Sequence, residues 1–150
     1  QDLLGRKVSM AGGQHYQALL QRIRATLEAT RGSDELKTSA ELLSNALATL
    51  EETTSALQAI KNTDPDRALA NAYLYLECFG HVVVGWLWLR QAQAALKGLQ
   101  DGGARQPEFY QGKLNTCEYF LRYELPKPLA LAEVLRSADR TTLDMPLDCF

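Results

Sequence analysis

The sequence predicts an all-α protein, an antiparallel bundle of four main helices plus a short fifth. Three observations predict it. No stretch alternates apolar and polar residues long enough to make a strand. Leu36, Leu43, Leu50 and Leu57 recur seven apart, a one-sided helical seam. Pro65, Pro107 and Gly32 stand at the edges of helix-periodic stretches, where helices start and stop.

Asp2 to Met10 reads as the end of an earlier helix, and Gly12-Gly13 separates it from the first main helix. That helix spans about Gly13 to Arg31, with Tyr16, Leu20, Ile23 and Leu27 as its stripe. Gly32 stops it, and Ser33 is a candidate N-cap for the second. Ala40 and Leu47 complete the leucine seam of that second helix. Lys37, Glu41, Glu51, Glu52 and Lys61 fill its other faces and place it at the surface.

Asp64-Pro65 is an N-cap followed by proline at the first helical position. The third helix runs from there to about Leu99. It is apolar nearly all round between Leu69 and Leu89, so it belongs at the centre. Gly80 and Gly85 each cost about 1 kcal/mol relative to alanine in a helix, so both are expected at close helix contacts. Asp101-Gly102-Gly103 is a loop. Pro107 starts the fourth helix, with Tyr110, Leu114, Cys117 and Leu121 on one face and Pro126 and Pro128 ending it. The short fifth covers about Pro128 to Ser137, with Leu131, Val134 and Leu135 inward. The tail, Asp139 to Phe150, reads as irregular.

Composition narrows function. A chain of 150 residues fits one domain. Its 16 Lys+Arg against 18 Asp+Glu, with no basic run, lacks the electrostatic footprint of a nucleic-acid binder. Cys78, Cys117 and Cys149 form no zinc spacing, and read as reduced thiols in a cytoplasmic protein. Cys78 to Leu89 is the most apolar window and is too short to span a bilayer, which takes about 20 residues. No transmembrane segment is expected. The first residues, with neither Met nor a signal-peptide pattern, suggest a piece of something longer.

No catalytic constellation emerges. His81 lies one turn from Glu77, but the only other histidine, His15, has no acidic partner motif. His81 therefore reads as a core histidine bonded to a backbone carbonyl or a tyrosine. Trp86 and Trp88 point to different faces, one toward the core and one toward an interface. Tyr73, Tyr75, Tyr110, Tyr119 and Tyr123 have the helical spacing of packing residues rather than of a cofactor box. Gly12-Gly13 comes after no strand and precedes no Gly-Lys-Ser/Thr, so it is no phosphate loop. Expected catalytic, cofactor-binding and metal-binding residues are none.

The segment Asp2-Leu3-Leu4-Gly5-Arg6-Lys7-Val8 resembles the stretch just after the catalytic Tyr-Glu-Gly-Thr motif in a subgroup of acyl-CoA dehydrogenases. Phe79-Gly80-His81-Val82-Val83-Val84-Gly85-Trp86-Leu87-Trp88-Leu89, Phe109-Tyr110-Gln111-Gly112-Lys113-Leu114 and Phe120 to Pro126, in that order, resemble that subgroup's additional C-terminal helical domain. The closing Asp148-Cys149-Phe150 resembles its end. The resemblance implies residues 1–12 as the end of the upstream dehydrogenase segment and 13–150 as the helical domain. It implies an intact enzyme that uses FAD to remove hydrogens across Cα–Cβ of an acyl-CoA thioester. The family's base and flavin-binding segments lie upstream, so no family catalytic residue maps onto this chain. The implied partners are the catalytic body of the same chain and a second subunit of a homo-oligomer. The alternative is a free-standing helical interaction module; a dehydrogenase-like DNA-binding protein is disfavoured by the acidic balance.

Overall fold

The computed structural model describes residues 1–100 and 106–149. The expected loop Asp101-Gly102-Gly103 and the terminal Phe150 lie outside them. Among the described residues the chain is helical, with no strand. Four helices are long: α1 (Gln14–Thr30), α2 (Lys37–Lys61), α4 (Ala72–Gln100) and α5 (Pro107–Tyr119). Four are short: α3 (Pro65–Leu69), α6 (Pro126–Leu129), α7 (Ala132–Ser137) and α8 (Thr141–Asp144).

The start signals act as read, with two exceptions. Asp64 Oδ1 accepts from the Arg67 N–H at 3.1 Å, so it caps α3 with Pro65 just inside. Ser33 does not cap α2. A 3₁₀ turn, Asp34–Leu36, comes first, and the Ser33 hydroxyl bonds the Glu35 carboxylate instead. Pro126 and Pro128 do not end the fourth helix either. The chain continues from α5 through a π-helical turn, Phe120–Glu124, directly into α6. Both prolines fall in the first turn of α6, where backbone N–H groups have no partner in the helix and their loss costs nothing. The wider π turn sends Leu121 and Leu125 inward together; both are buried.

The third helix is broken at Ala70-Asn71. The C-terminal segment grips this break. Arg67 donates from Nε to the Ala138 carbonyl (2.9 Å) and from Nη2 to the Ser137 carbonyl (3.1 Å), and Asn71 Nδ2 donates to the Asp139 carbonyl at 3.2 Å. The tail expected to be irregular carries α8 and a 3₁₀ turn, Leu147–Cys149.

One core joins these elements. Leu20 and Ile23 of α1, Leu43, Leu47, Leu50 and Leu57 of α2, and Tyr75, Val82, Trp86 and Leu89 of α4 are buried in it. The expectation that α2 is a surface helix with one apolar seam is too narrow. Ser39, Thr53 and Thr54 are buried as well, because α2 packs against α1, α3, α4 and α7. Leu4 and Val8 of the N-terminal segment belong to the same core. Residues Ala11, Gly12 and Gly13 all take positive φ (52°, 64° and 81°) and turn the chain from that segment into α1. Glycine adopts this conformation without strain, which is what Gly12-Gly13 provides. Around α7, Leu131 and Val134 are exposed; the inward residues are Ala132, Leu135 and Ala138.

Candidate functional site

The interior polar groups satisfy one another. Thr54 donates its hydroxyl to the Leu50 carbonyl at 2.7 Å. With its one hydrogen spent, it accepts from the Tyr75 hydroxyl (2.8 Å) and the Tyr16 hydroxyl (3.1 Å). Burial pushes the Tyr75 and Tyr16 phenols above their ordinary range. An open groove of about 480 Å³ lies over this network, lined by Gly12, Gly13, Tyr16, Glu51 and Gln58 among others. Among the described residues every buried side-chain nitrogen and oxygen has a hydrogen-bond partner. Among the same residues no cluster of three or more His, Cys, Asp and Glu side chains is arranged to hold a metal.

His81 makes the backbone-carbonyl bond expected of it but is half-buried rather than in the core. Its Nδ1 donates to the Glu77 carbonyl at 2.9 Å, and its ring stacks on Phe120 with centroids 5.9 Å apart. Trp86 is buried and donates Nε1–H to Thr26 Oγ1 at 2.8 Å. Trp88 is half-buried between α4 and α5, with the Lys113 ammonium 5.2 Å from its ring centre. The five tyrosines do not form one box. Tyr75 is in the core, Tyr110 covers Gly98, Tyr73 is exposed, and Tyr119 and Tyr123, both exposed, stack on each other with centroids 5.1 Å apart. Cys78 and Cys117 are buried free thiols, and burial pushes each up to about 11. Cys78 donates its thiol hydrogen to the Pro128 carbonyl at 2.9 Å.

The glycines of α4 differ in what surrounds them. A Cβ on Gly85 would stand 3.0 Å from Leu121 Cδ2 and 3.4 Å from Leu43 Cδ1, the expected close contact. Gly80 corrects the same expectation: a Cβ there meets nothing within 4 Å. Gly98, which the sequence did not single out, is the tighter contact, against Tyr110. The helix α4 is long and apolar enough to cross a membrane by length and composition, with an 18-residue window of mean hydropathy 1.3. This widens the reading made from Cys78 to Leu89 alone. Its buried stripe, Tyr75 through Ala92, packs on α1, α2 and α5 as a core helix does.

What remains is a surface. Tyr73, Leu76, Val84 and Leu87 are 68%, 52%, 40% and 42% exposed. With Gly80 they fall at i, i+3, i+7, i+11 and i+14, which is one face of a helix. No element of the described chain covers that face. The sequence carried the signal in the all-round apolar character of this helix, but not which side would be left bare.

This helical chain with a bare apolar face on α4 has counterparts among known proteins. The family described as "Acetyl-CoA dehydrogenase C-terminal like" matches residues 19–146, and the chain belongs to it. It is 34% identical to the 3-methylmercaptopropionyl-CoA dehydrogenase of Ruegeria pomeroyi over 125 residues, 83% of this chain and 21% of that protein. It is 27% identical to the broad-specificity linear acyl-CoA dehydrogenase FadE5 of Mycobacterium tuberculosis, over 97% of this chain and 25% of that protein. A butyryl-CoA dehydrogenase of Syntrophomonas wolfei is 25% identical over 100% of this chain and 25% of its own length. The chain thus spans a fifth to a quarter of these relatives.

Proposed function

We propose that this chain is the C-terminal helical domain of an FAD-dependent acyl-CoA dehydrogenase, and that it serves as scaffold and interface. The observation that carries the reading is the bare apolar face of α4 on a chain of this family. On this reading the intact enzyme removes hydrogens across Cα–Cβ of an acyl-CoA thioester in the cytoplasm, in fatty acid metabolism. FAD, when bound to the intact enzyme, supplies the hydride acceptor. We assign this chain no catalytic, cofactor-binding or metal-binding residue. Its own residues pack, exclude water and cover the neighbouring body. Residues 1–12 are the end of the dehydrogenase segment, and 13–150 form the bundle, its four long helices antiparallel and joined by the short ones. The partners are the catalytic body of the same chain and a second subunit of a homo-oligomer.

Deletion of residues 13–150 from the full-length enzyme tests this. The expected product is insoluble, flavin-poor or wrongly assembled. A truncated enzyme that keeps its flavin, its assembly and its rate refutes the role.

A further inference from the structure

We propose that the face of α4 carrying Tyr73, Leu76, Gly80, Val84 and Leu87 is the seat of the catalytic body of the same polypeptide. The proposal rests on the reading that this chain is one domain of a longer dehydrogenase, and it names the surface and its occupant.

Glycine in the interior of a helix weakens it relative to alanine. Within α4 and its partner α5, two glycines have an internal reason to be there. A Cβ on Gly85 would crowd Leu121 and Leu43, and one on Gly98 would clash with the Tyr110 ring. Two others have none: Gly80 in α4 and Gly112 in α5 meet nothing within 4 Å of an added Cβ. In α4 the internally unexplained glycine is the one in the middle of the exposed stripe. A helix backbone without Cβ atoms, flanked by Leu76 and Val84, accepts a close-packed neighbour, and no described element of this chain is that neighbour.

Two observations select the occupant. Three quarters or more of each relative's length lies outside the part this chain matches. The N-terminal segment that would connect to it is held beside the start of α4. Gly5 lies 3.5 Å from the Leu69 side chain as measured from an ideal Cβ, its carbonyl accepts from Lys61, and the Leu4 carbonyl accepts from Gln58 Nε2 at 3.2 Å. That segment also packs on α4 itself, so a body attached to it is held beside this helix at high effective concentration, an advantage that a second copy of the chain lacks. The rim of the face is polar, with Glu77 and His81 on one side, as expected for an interface whose centre is apolar.

The test uses the full-length protein with Cys149→Ser, since Cys78 and Cys117 are buried and Cys149 is exposed. Maleimide labelling is timed for Gly80→Cys and, at a position that already carries a side chain, Leu87→Cys. Glu52→Cys on exposed α2 is the reference. The expected result is labelling at least tenfold slower at 80 and 87 than at 52, unchanged on dilution to the smallest stable species. A photo-crosslinker at 87 should then join α4 to the upstream part of the same polypeptide. Labelling at the reference rate at both positions overturns the proposal. So does protection that disappears on dilution with crosslinks only between copies, which would make the face a subunit interface. Flavin content and acyl-CoA-dependent reduction, measured on the same protein, test the dehydrogenase reading independently of the labelling.

Discussion

The edge of the Tyr110 ring fills the space that a side chain at residue 98 would need: a Cβ on Gly98 would stand 2.8 Å from its Cε1 and 2.9 Å from its Cζ. This contact fastens the start of α5 to the last turns of α4. Lys113 beside Trp88, Phe120 beside His81 and Leu121 beside Gly85 continue the pairing. From Tyr110 and Lys113 of α5 to Phe120 and Leu121 of the π turn after it, the partners shift from Gly98 and Trp88 back to His81 and Gly85, so this stretch runs opposite to α4.

The glycines of α4 should therefore respond differently to substitution. In the 150-residue chain expressed alone, Gly85→Leu should cost about 1–3 kcal/mol by overpacking against Leu121 and Leu43. Gly98→Ala should also lower the melting temperature, and Tyr110→Leu in the same chain should recover part of the loss. Gly80→Ala should raise stability by up to about 1 kcal/mol through helix propensity alone. Thermal melts monitored by circular dichroism decide. A destabilising Gly80→Ala would mean that α4 is packed on that side after all.

Thr54 and Tyr75 should behave as a coupled pair. Thr54→Val leaves the buried Tyr75 hydroxyl without its acceptor and should cost about 1–3 kcal/mol. Tyr75→Phe removes the stranded group. The double substitution should then cost less than the sum of the two singles by more than about 0.5 kcal/mol. Additive losses in chemical denaturation would count against the network.

Alkaline pH should weaken the fold. The Cys78 and Cys117 thiols titrate at about 11 when buried, against 9.0 for a free thiol. In this window the unfolded chain has lost protons that the folded chain still holds, so unfolding is favoured as pH rises. Stability is whole below pH 9 and falls between pH 9 and 11, by up to about 2–3 kcal/mol for each thiol. Cys117→Ala should flatten part of that slope. With a disulfide reagent near pH 8, the folded protein should expose one fast thiol, Cys149, and two slow ones.

The chain alone should be helical, melt cooperatively and purify colourless. Far-ultraviolet circular dichroism and the visible absorption spectrum check both. Yellow protein that keeps its flavin through gel filtration would place a cofactor site in residues 1–150.

The helices whose ends carry chemistry are legible in the sequence. Asp64-Pro65 marks a start because a carboxylate and an absent N–H suit the first turn, and Leu43, Leu47, Leu50 and Leu57 mark a buried seam. Pro126 misleads because proline reads equally as a stop and as a first-turn residue. The break at Ala70-Asn71 has no local signal: it is held by carbonyls of residues 137–139, which are close only once the chain has folded. Leu131 and Val134 point inward on composition, since leucine and valine usually do, yet α7 is too short to bury more than one side. The candidate surface is half legible. Apolar residues all round α4 announce more contact than one bundle needs, while the bare side depends on where α1, α2 and α5 settle.

The grip of Arg67 and Asn71 on the Ser137, Ala138 and Asp139 carbonyls has a mechanical consequence. Lys61 holds Gly5 a few residues earlier in the chain, and Asp64 pairs with Arg140 between them. The first and last described parts of the domain are thus fastened to one corner, residues 61–71. Tension applied from the C-terminal side would load that corner like a clasp before reaching Leu135 and the core behind it. The helices would stay packed until the clasp opened.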